Sequence, residues 1–248
     1  MNSEYFIKRK SCRFFKDLKI TKNLLEEIII KAMKAPTCGN MQLYTVVATR
    51  DEEKLKEMAA YHYNQPAATT APLILTVCAD FNKFTKWCEA NEAEAGYNNF
   101  HSFITAMTDA VIFAQQIVTV AENEGLGSCY LGTVTYNATQ ISRMLELPEL
   151  VVPVAAIALG YVDKEGEDTK RMPVEGILHD EKYNDRYVSA LTPLFSYLED
   201  NPENEKFIKE NGKKNIAQVF AEIRYPKSTN ESISKEFYSL LQEKGYMK

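Results

Sequence analysis

Arg9-Lys10-Ser11-Cys12-Arg13 places three cations and a hydroxyl within five residues, just before the apolar pair Phe14-Phe15. Arginine forks match phosphate oxygens, and a serine hydroxyl or free backbone N–H groups can complete the shell, so the cluster has the chemistry of a phosphate cradle. A solvated basic stretch at a helix end is the competing reading. Lys170-Arg171 is a second basic pair far along the chain. Two such patches can converge on one dianion, although each alone also reads as surface charge.

Other chemistries find less support. Gly125-Leu126-Gly127 with Gly132 is not the Gly-x-Gly-x-x-Gly dinucleotide fingerprint, and no Gly-x-x-x-x-Gly-Lys-Ser/Thr occurs. His62, His101 and His179 are far apart, with no His-Glu-x-x-His, which disfavours metal catalysis. Ser-His-Asp chemistry stays open on spacing alone, without a Gly-x-Ser-x-Gly elbow. Cys38 in a polar loop and Cys12 among cations are candidate nucleophiles, weighed against the ordinary burial of free cysteine.

The elements that must position these residues can be read in outline. Asn23 and Glu26 resemble a capping box, and apolar residues from Leu24 to Met33 recur at helical spacing, ending before Pro36. The turn-rich stretch 37–42 then leads into a strand over 44–49. A second amphipathic helix spans 51–61, and 72–79 is a strand whose apolar continuity implies burial on both faces. The segment 102–124 is helical and apolar nearly all round, so the domain core or a second subunit must cover it. After it come a strand over 128–134, a helix opened by Asn137 and Gln140 that closes near Leu147-Pro148, and a last core strand over 151–162. Beyond Asp163 the texture turns charged and aromatic. A poorly periodic arm runs through Tyr187, two or three helices follow, and the last, about 231–244, is preceded by Ser228 and Glu231 and closed by Gly245.

The 248 residues carry 29 Lys+Arg against 34 Asp+Glu, a net charge of −5 that argues against nucleic acid as a partner. At 45% hydrophobic and 25% charged, the composition is that of a globular chain able to bury a large core. Uncharged stretches such as 150–162 are too short for a bilayer and contain Pro153 and Gly160, so no membrane association is expected. The first residues show no apolar run behind a basic start, and the five cysteines are widely spaced, so the expected location is the cytoplasm.

Taken in order, these segments resemble the FMN-dependent nitroreductase family, in particular its branch of NADPH-flavin oxidoreductases and oxygen-insensitive nitroreductases. Arg9-Lys10-Ser11-Cys12-Arg13 with Phe15 is similar to the family's Arg-x-Ser-x-Arg-x-Phe motif, and 35–42, Ala-Pro-Thr-Cys-Gly-Asn-Met-Gln, to its Asn-x-Gln loop. Asn64-Gln65-Pro66, followed by 78–82, resembles the branch's Gln-Pro turn and strand end. The stretches 125–132, 147–161 and Lys170-Arg171-Met172-Pro173 resemble its Gly-Leu-Gly entry, its Leu-Pro to Leu-Gly-Tyr strand and its basic pair.

The resemblance implies one α+β domain over 1–248, with an FMN-binding core over 1–162 and a wrapping arm and C-terminal helices over 163–248. It implies a central mixed β-sheet flanked by helices, an intertwined homodimer, and FMN in two interfacial clefts. Arg9, Lys10, Ser11 and Arg13 would contact the FMN phosphate, ribityl chain or pyrimidine edge, with Lys170 and Arg171 closing on the phosphate. Thr37, Cys38, Gly39, Asn40 and Gln42 would approach from the partner subunit, and Gln65 would bond the flavin's polar edge. Tyr130, Leu131, Gly132 and Thr133 would lie along the isoalloxazine, with a backbone N–H near Gly132 addressing N5. Thr133 stands where the branch has a second glycine.

The implied activity is two-electron, ping-pong hydride transfer from NAD(P)H to small planar acceptors: nitroaromatics, quinones or flavins. Lys213-Lys214 takes the place of arm arginines that engage the NADPH 2′-phosphate, leaving NADH and NADPH both open. Phe100, His101, Phe220 and Tyr225 are candidate pocket-shaping residues. A non-catalytic flavin-binding or flavin-sensing dimer is the alternative, and reductive removal of a substituent other than a nitro group is a third reading.

Overall fold

Continuous apolar sequence places one strand at the centre of the molecule. In a computed structural model that describes residues 3–184 and 191–247, all eight residues of Leu73–Asp80 are buried. Numbering elements along the chain, this strand is β3. It is preceded by helix α1 (Ser3–Lys8), the short strand β1 (Phe14–Phe15), α2 (Lys22–Ala32), β2 (Tyr44–Thr49), α3 (Glu52–Tyr61) and α4 (Pro66–Thr70). After it come α5 (Asn82–Ala90), α6 (Phe100–Asn123), β4 (Gly127–Tyr130), α7 (Ala138–Met144), β5 (Val151–Gly160) and β6 (Val162–Lys164).

The central sheet has the order β2-β3-β5-β4, and β1 pairs with β6 in a separate two-stranded ladder. Every pairing is antiparallel, which corrects the expected mixed directions to an antiparallel sheet among the described residues. Pro153 sits inside β5, where its missing N–H would break a regular ladder. A register shift absorbs it: Val77 faces Ala155 while Cys78 faces Pro153.

Chain packing forms two units, residues 1–167 with 235–248, and residues 168–234. In the first, α6 lies on the sheet and buries 11 side chains, among them Phe113, Ile117 and Val118. By length and composition alone α6 is apolar enough to cross a bilayer, but half of that window is buried inside the protein, as in a core helix. The helix α11 (Lys227–Glu243) carries Leu240 and Leu241, which join Tyr246 in a buried cluster with Leu43, Phe81 and Phe103. The second unit contains α8 (Leu191–Glu199), α9 (Pro202–Glu210) and α10 (Ile216–Gln218), the last continued by a π-helical turn, Val219–Arg224. There the Arg224 guanidinium stacks 4.4 Å from the Phe207 ring.

Several boundaries differ from the sequence reading for local reasons. Helix α2 is capped by Thr21, whose Oγ1 accepts from the Leu24 N–H, so Asn23 and Glu26 lie inside it. Asn137 makes no side-chain cap; its amide donates to the Tyr61 carbonyl at 2.7 Å, tying α7 to the end of α3. The expected strand over 128–134 stops at Tyr130 and gives way to a 3-10 turn over Gly132–Thr135. The expected strand over 151–162 ends at Gly160, and the last helix begins at Lys227 rather than 231. Residues 185–187, the end of the expected arm, lie outside the described residues.

Candidate cofactor site

The N-terminal cationic segment is laid against strand β4. The Cys12 N–H donates to the Ser128 carbonyl at 2.8 Å, and a Cβ at Gly127 would fall 2.7 Å from the Cys12 Cβ. Gly166 lies closer still to the segment, where a Cβ would meet the Ser11 carbonyl oxygen at 2.1 Å. Glycine at 127 and 166 is what admits the segment.

Within it, Arg9 is held and the other cations are presented. Its Nη2 lies 3.1 Å from Glu122 Oε1, near the end of α6, and 3.4 Å from Ser128 Oγ. Glu122 also accepts from Ser128 Oγ at 2.5 Å and from Tyr5 Oη at 2.6 Å. Burial, then the bond to Glu122, pushes the Tyr5 phenol up to about 12, so it remains a donor at any ordinary pH. The buried Arg9 Nε has no partner among the described residues. Lys10 and Arg13 are exposed, and the Arg13 carbonyl accepts from Thr70 Oγ1.

β4 then delivers Tyr130, Leu131, Gly132 and Thr133. Leu131 is buried, its N–H bonded to the Ala156 carbonyl, whereas Gly132 faces open space: a Cβ there would meet nothing within 4 Å. Tyr130 is 37% exposed, and burial raises its phenol to about 12. Thr133 Oγ1 is met by two side chains of the turn between α3 and α4, His62 Nδ1 at 2.8 Å and Gln65 Nε2 at 3.4 Å. His62 is fully buried, which lowers its pKa to about 4 and keeps the ring neutral.

The loop 37–42 is anchored separately. Gly39, Asn40 and Gln42 have φ of 55°, 56° and 53°, left-handed conformations that glycine and asparagine tolerate best. Buried Asp109, on α6, accepts from the Cys38 N–H at 2.9 Å and the Leu43 N–H at 3.4 Å, while Thr37 Oγ1 accepts from the Gln42 N–H. This arrangement leaves the Cys38 side chain exposed. Cys12 is buried and burial raises its thiol pKa, opposite to the lowering expected from its neighbouring cations.

Lys170 and Arg171 are exposed in the second unit, where Arg171 Nη1 donates to the Thr169 and Lys170 carbonyls. Lys213 is engaged in an ion pair with Glu222 at 2.7 Å. Phe220 and Tyr225 stack on each other there, while exposed Phe100 and His101 start α6 in the first unit.

Thus 9–13, 128–133 and Gln65 come together in the first unit, while 37–42 is held by a different support. Three supporting residues escaped the sequence reading. Asp109 and Glu122 were legible only as carboxylates within an apolar helix. His62 was legible only as one of three widely spaced histidines, although it precedes Gln65 by three.

An antiparallel sheet flanked by helices carries a cationic, glycine-accommodated segment along its edge strand, with chemistry suited to an anionic ligand. The chain belongs to the nitroreductase family, whose model matches residues 7–161. It is 28% identical over 231 residues to a Cr(VI) reductase of Pseudomonas sp. strain G-1, covering 91% of this chain and 94% of that one. It is 27% identical over 224 residues to an NAD(P)H FMN reductase of Bacillus subtilis strain 168, covering 88% and 90%. A solved structure from Bacteroides fragilis NCTC 9343 superposes with a TM-score of 0.95 at 41% identity, covering 99% of this chain and 100% of that one. The B. megaterium NfrA2 structure does so with 0.83 at 26% identity, covering 100% and 99%.

Proposed function

We propose that this chain is an FMN-dependent NAD(P)H oxidoreductase reducing nitroaromatics, quinones or flavins, and that it works as a homodimer. The observation that carries the reading is that the cationic segment lies on β4 at Ser128, and that β4 leads directly into Gly132 and Thr133, where Gln65 meets Thr133, in a chain whose family model spans that same region. The residues fit FMN. Lys10 and Arg13 offer exposed cations for a phosphate or an anionic pyrimidine edge, and Arg9 Nε is a buried donor without a partner. The open side of Gly132 admits a flat ring system, and the first N–H groups of its 3-10 turn have no acceptor within that turn.

The redox chemistry is the flavin's own, hydride exchange at its N5. The protein's part is to bind and orient. Glu122 fixes Arg9 from behind, and neutral His62 with Gln65 fixes Thr133. A cation beside the pyrimidine edge, Lys10 or Arg13, favours negative charge there. No protein nucleophile is required.

Lys170 and Arg171 enter as further phosphate ligands, and residues 37–42 as a contribution from the partner subunit, both on the strength of the resemblance. Exposed Val111 and Ile112 on α6, together with Ile30 on α2 and Met33 just after it, support a dimer, because apolar side chains of that size favour a covered surface. Five free cysteines support a reducing, cytoplasmic setting.

An anaerobic spectrum of the purified protein, before and after NADPH or NADH, tests the reading. About one FMN per chain, bleaching within seconds, is the expected result. A protein that binds no FMN overturns the site assignment. One that binds it and never bleaches overturns the enzyme reading in favour of a flavin-binding dimer.

A further inference from the structure

Thr133 Oγ1 is approached from behind by two groups of a single turn. His62 ends α3, Gln65 precedes α4, and the two residues between them, Tyr63 and Asn64, have φ of 55° and 51°. Two successive left-handed residues without a glycine are costly, and such conformations persist where the surrounding structure fixes them. Here the Asn64 N–H is bonded to the Ala59 carbonyl at 2.8 Å, and the Gln65 N–H to the His62 carbonyl at 3.2 Å. The turn aims His62 Nδ1 and Gln65 Nε2 at the same oxygen, at 2.8 Å and 3.4 Å.

A threonine hydroxyl has one proton to give and two lone pairs to receive. If Thr133 gave its proton to His62 Nδ1, the neutral imidazole would carry its own on Nε2, which is buried and has no partner among the described residues. An orphaned buried N–H is among the rarest defects in folded proteins. With the imidazole proton on Nδ1, that N–H is satisfied by Thr133, and only a lone pair is left at Nε2. Both lone pairs of Oγ1 are then filled, by His62 and by Gln65.

We propose that His62 and Gln65 commit the Thr133 hydroxyl to donating outward, to a heteroaromatic nitrogen or carbonyl acceptor of the planar ligand seated against Gly132. The inference rests on the FMN reading for the ligand. The direction of the bond follows from His62, Gln65 and Thr133 alone. Thr133 is partly exposed and follows directly on Gly132, whose open side leaves room for that ligand. His62 is accordingly a positioning residue, acting through Thr133 and touching no ligand itself. A glycine at 133 would offer only its backbone, so the threonine adds a directed donor on which binding and the flavin spectrum should depend.

The test uses the full chain with selectively 15N-labelled histidine, with and without FMN. Only three histidines need assignment, and single glutamine variants of each suffice. His62 is expected as the Nδ1–H tautomer, a pyrrole-type nitrogen at Nδ1 and a pyridine-type nitrogen at Nε2. In parallel, T133V is expected to weaken FMN binding about fivefold to tenfold by fluorescence quenching and to shift the bound flavin's absorbance. T133S is expected to restore both. An Nε2–H tautomer overturns the proposal, and so does a T133V variant that binds FMN as tightly as the parent with an unshifted spectrum. If the parent binds no FMN, the cofactor reading falls with the ligand assigned here, while the tautomer still decides the direction of the hydroxyl.

Discussion

Replacing Asp109 should loosen the 37–43 loop before it loosens the fold. The carboxylate is 3% exposed and accepts from two backbone N–H groups, Cys38 at 2.9 Å and Leu43 at 3.4 Å. Hydrogen bonds to a charged acceptor contribute about 1.5–3 kcal/mol each, and the longer one belongs at or below the lower end of that range. D109N can keep its oxygen on Cys38, but then turns an amide N–H toward the Leu43 N–H, so about 1–2 kcal/mol should be lost. D109A orphans both donors and leaves a small cavity, so the loss should be about 3–5 kcal/mol. Urea unfolding followed by circular dichroism gives the totals, and native-state hydrogen exchange locates them. Leu43 should lose roughly tenfold protection in D109N while Cys38 keeps most of its own, since 1.4 kcal/mol is a factor of ten. If D109A unfolds within about 0.5 kcal/mol of the parent and the Leu43 amide exchanges no faster, the carboxylate does not hold the loop.

Two further outcomes follow from burial. Exposed Cys38 should react with Ellman's reagent in the native protein, while Cys12 and Cys78, buried and with their thiol pKa values pushed up, should react only on unfolding; equal rates at Cys12 and Cys38 would contradict that. Burial lowers His62 from 6.5 to about 4, so between those values the unfolded chain takes up a proton that the folded chain refuses; stability is full above about pH 6.5 and falls toward pH 4, by about 3 kcal/mol in all. Urea titrations of the parent and H62Q across that window isolate the effect, and identical slopes would refute it.

The parts of this molecule that were legible in sequence are those governed by local periodicity. Residues 44–49 are strand β2 as expected, and the apolar run that became β3 is buried on both faces. The end of α2 and the left-handed Gly245, at φ 84°, also follow from the residues alone. Strand direction was not legible, because an apolar run does not say which way its neighbour points. Nor was the break after Tyr130: β-branched Thr133 and Val134 suit a strand, but the contacts of Thr133 with His62 and Gln65 hold the chain in a 3-10 turn. The cationic segment was visible by composition, but its anchoring was not. Glu122 lies more than 100 residues from Arg9, and only the antiparallel return through β4 brings them to 3.1 Å.

Helix α6 supplies the supports of two separate parts of the proposed site. Asp109 and Glu122 are 122 − 109 = 13 residues apart, which is about 20 Å along the axis at the α-helical rise. One holds the loop 37–43 and the other holds Arg9. Between them the helix buries Phe113, Ala114, Ile117 and Val118 in the main core, so neither carboxylate can shift without moving that packing. The same stretch exposes Val111 and Ile112. A subunit covering those two residues would bear on the element that sets both supports, so in a dimer with shared sites cofactor binding and subunit association would be coupled through one rigid body. The coupling would be reciprocal: polar substitutions at Val111 and Ile112 that weaken the dimer would also weaken FMN, and FMN would tighten the dimer by the same factor.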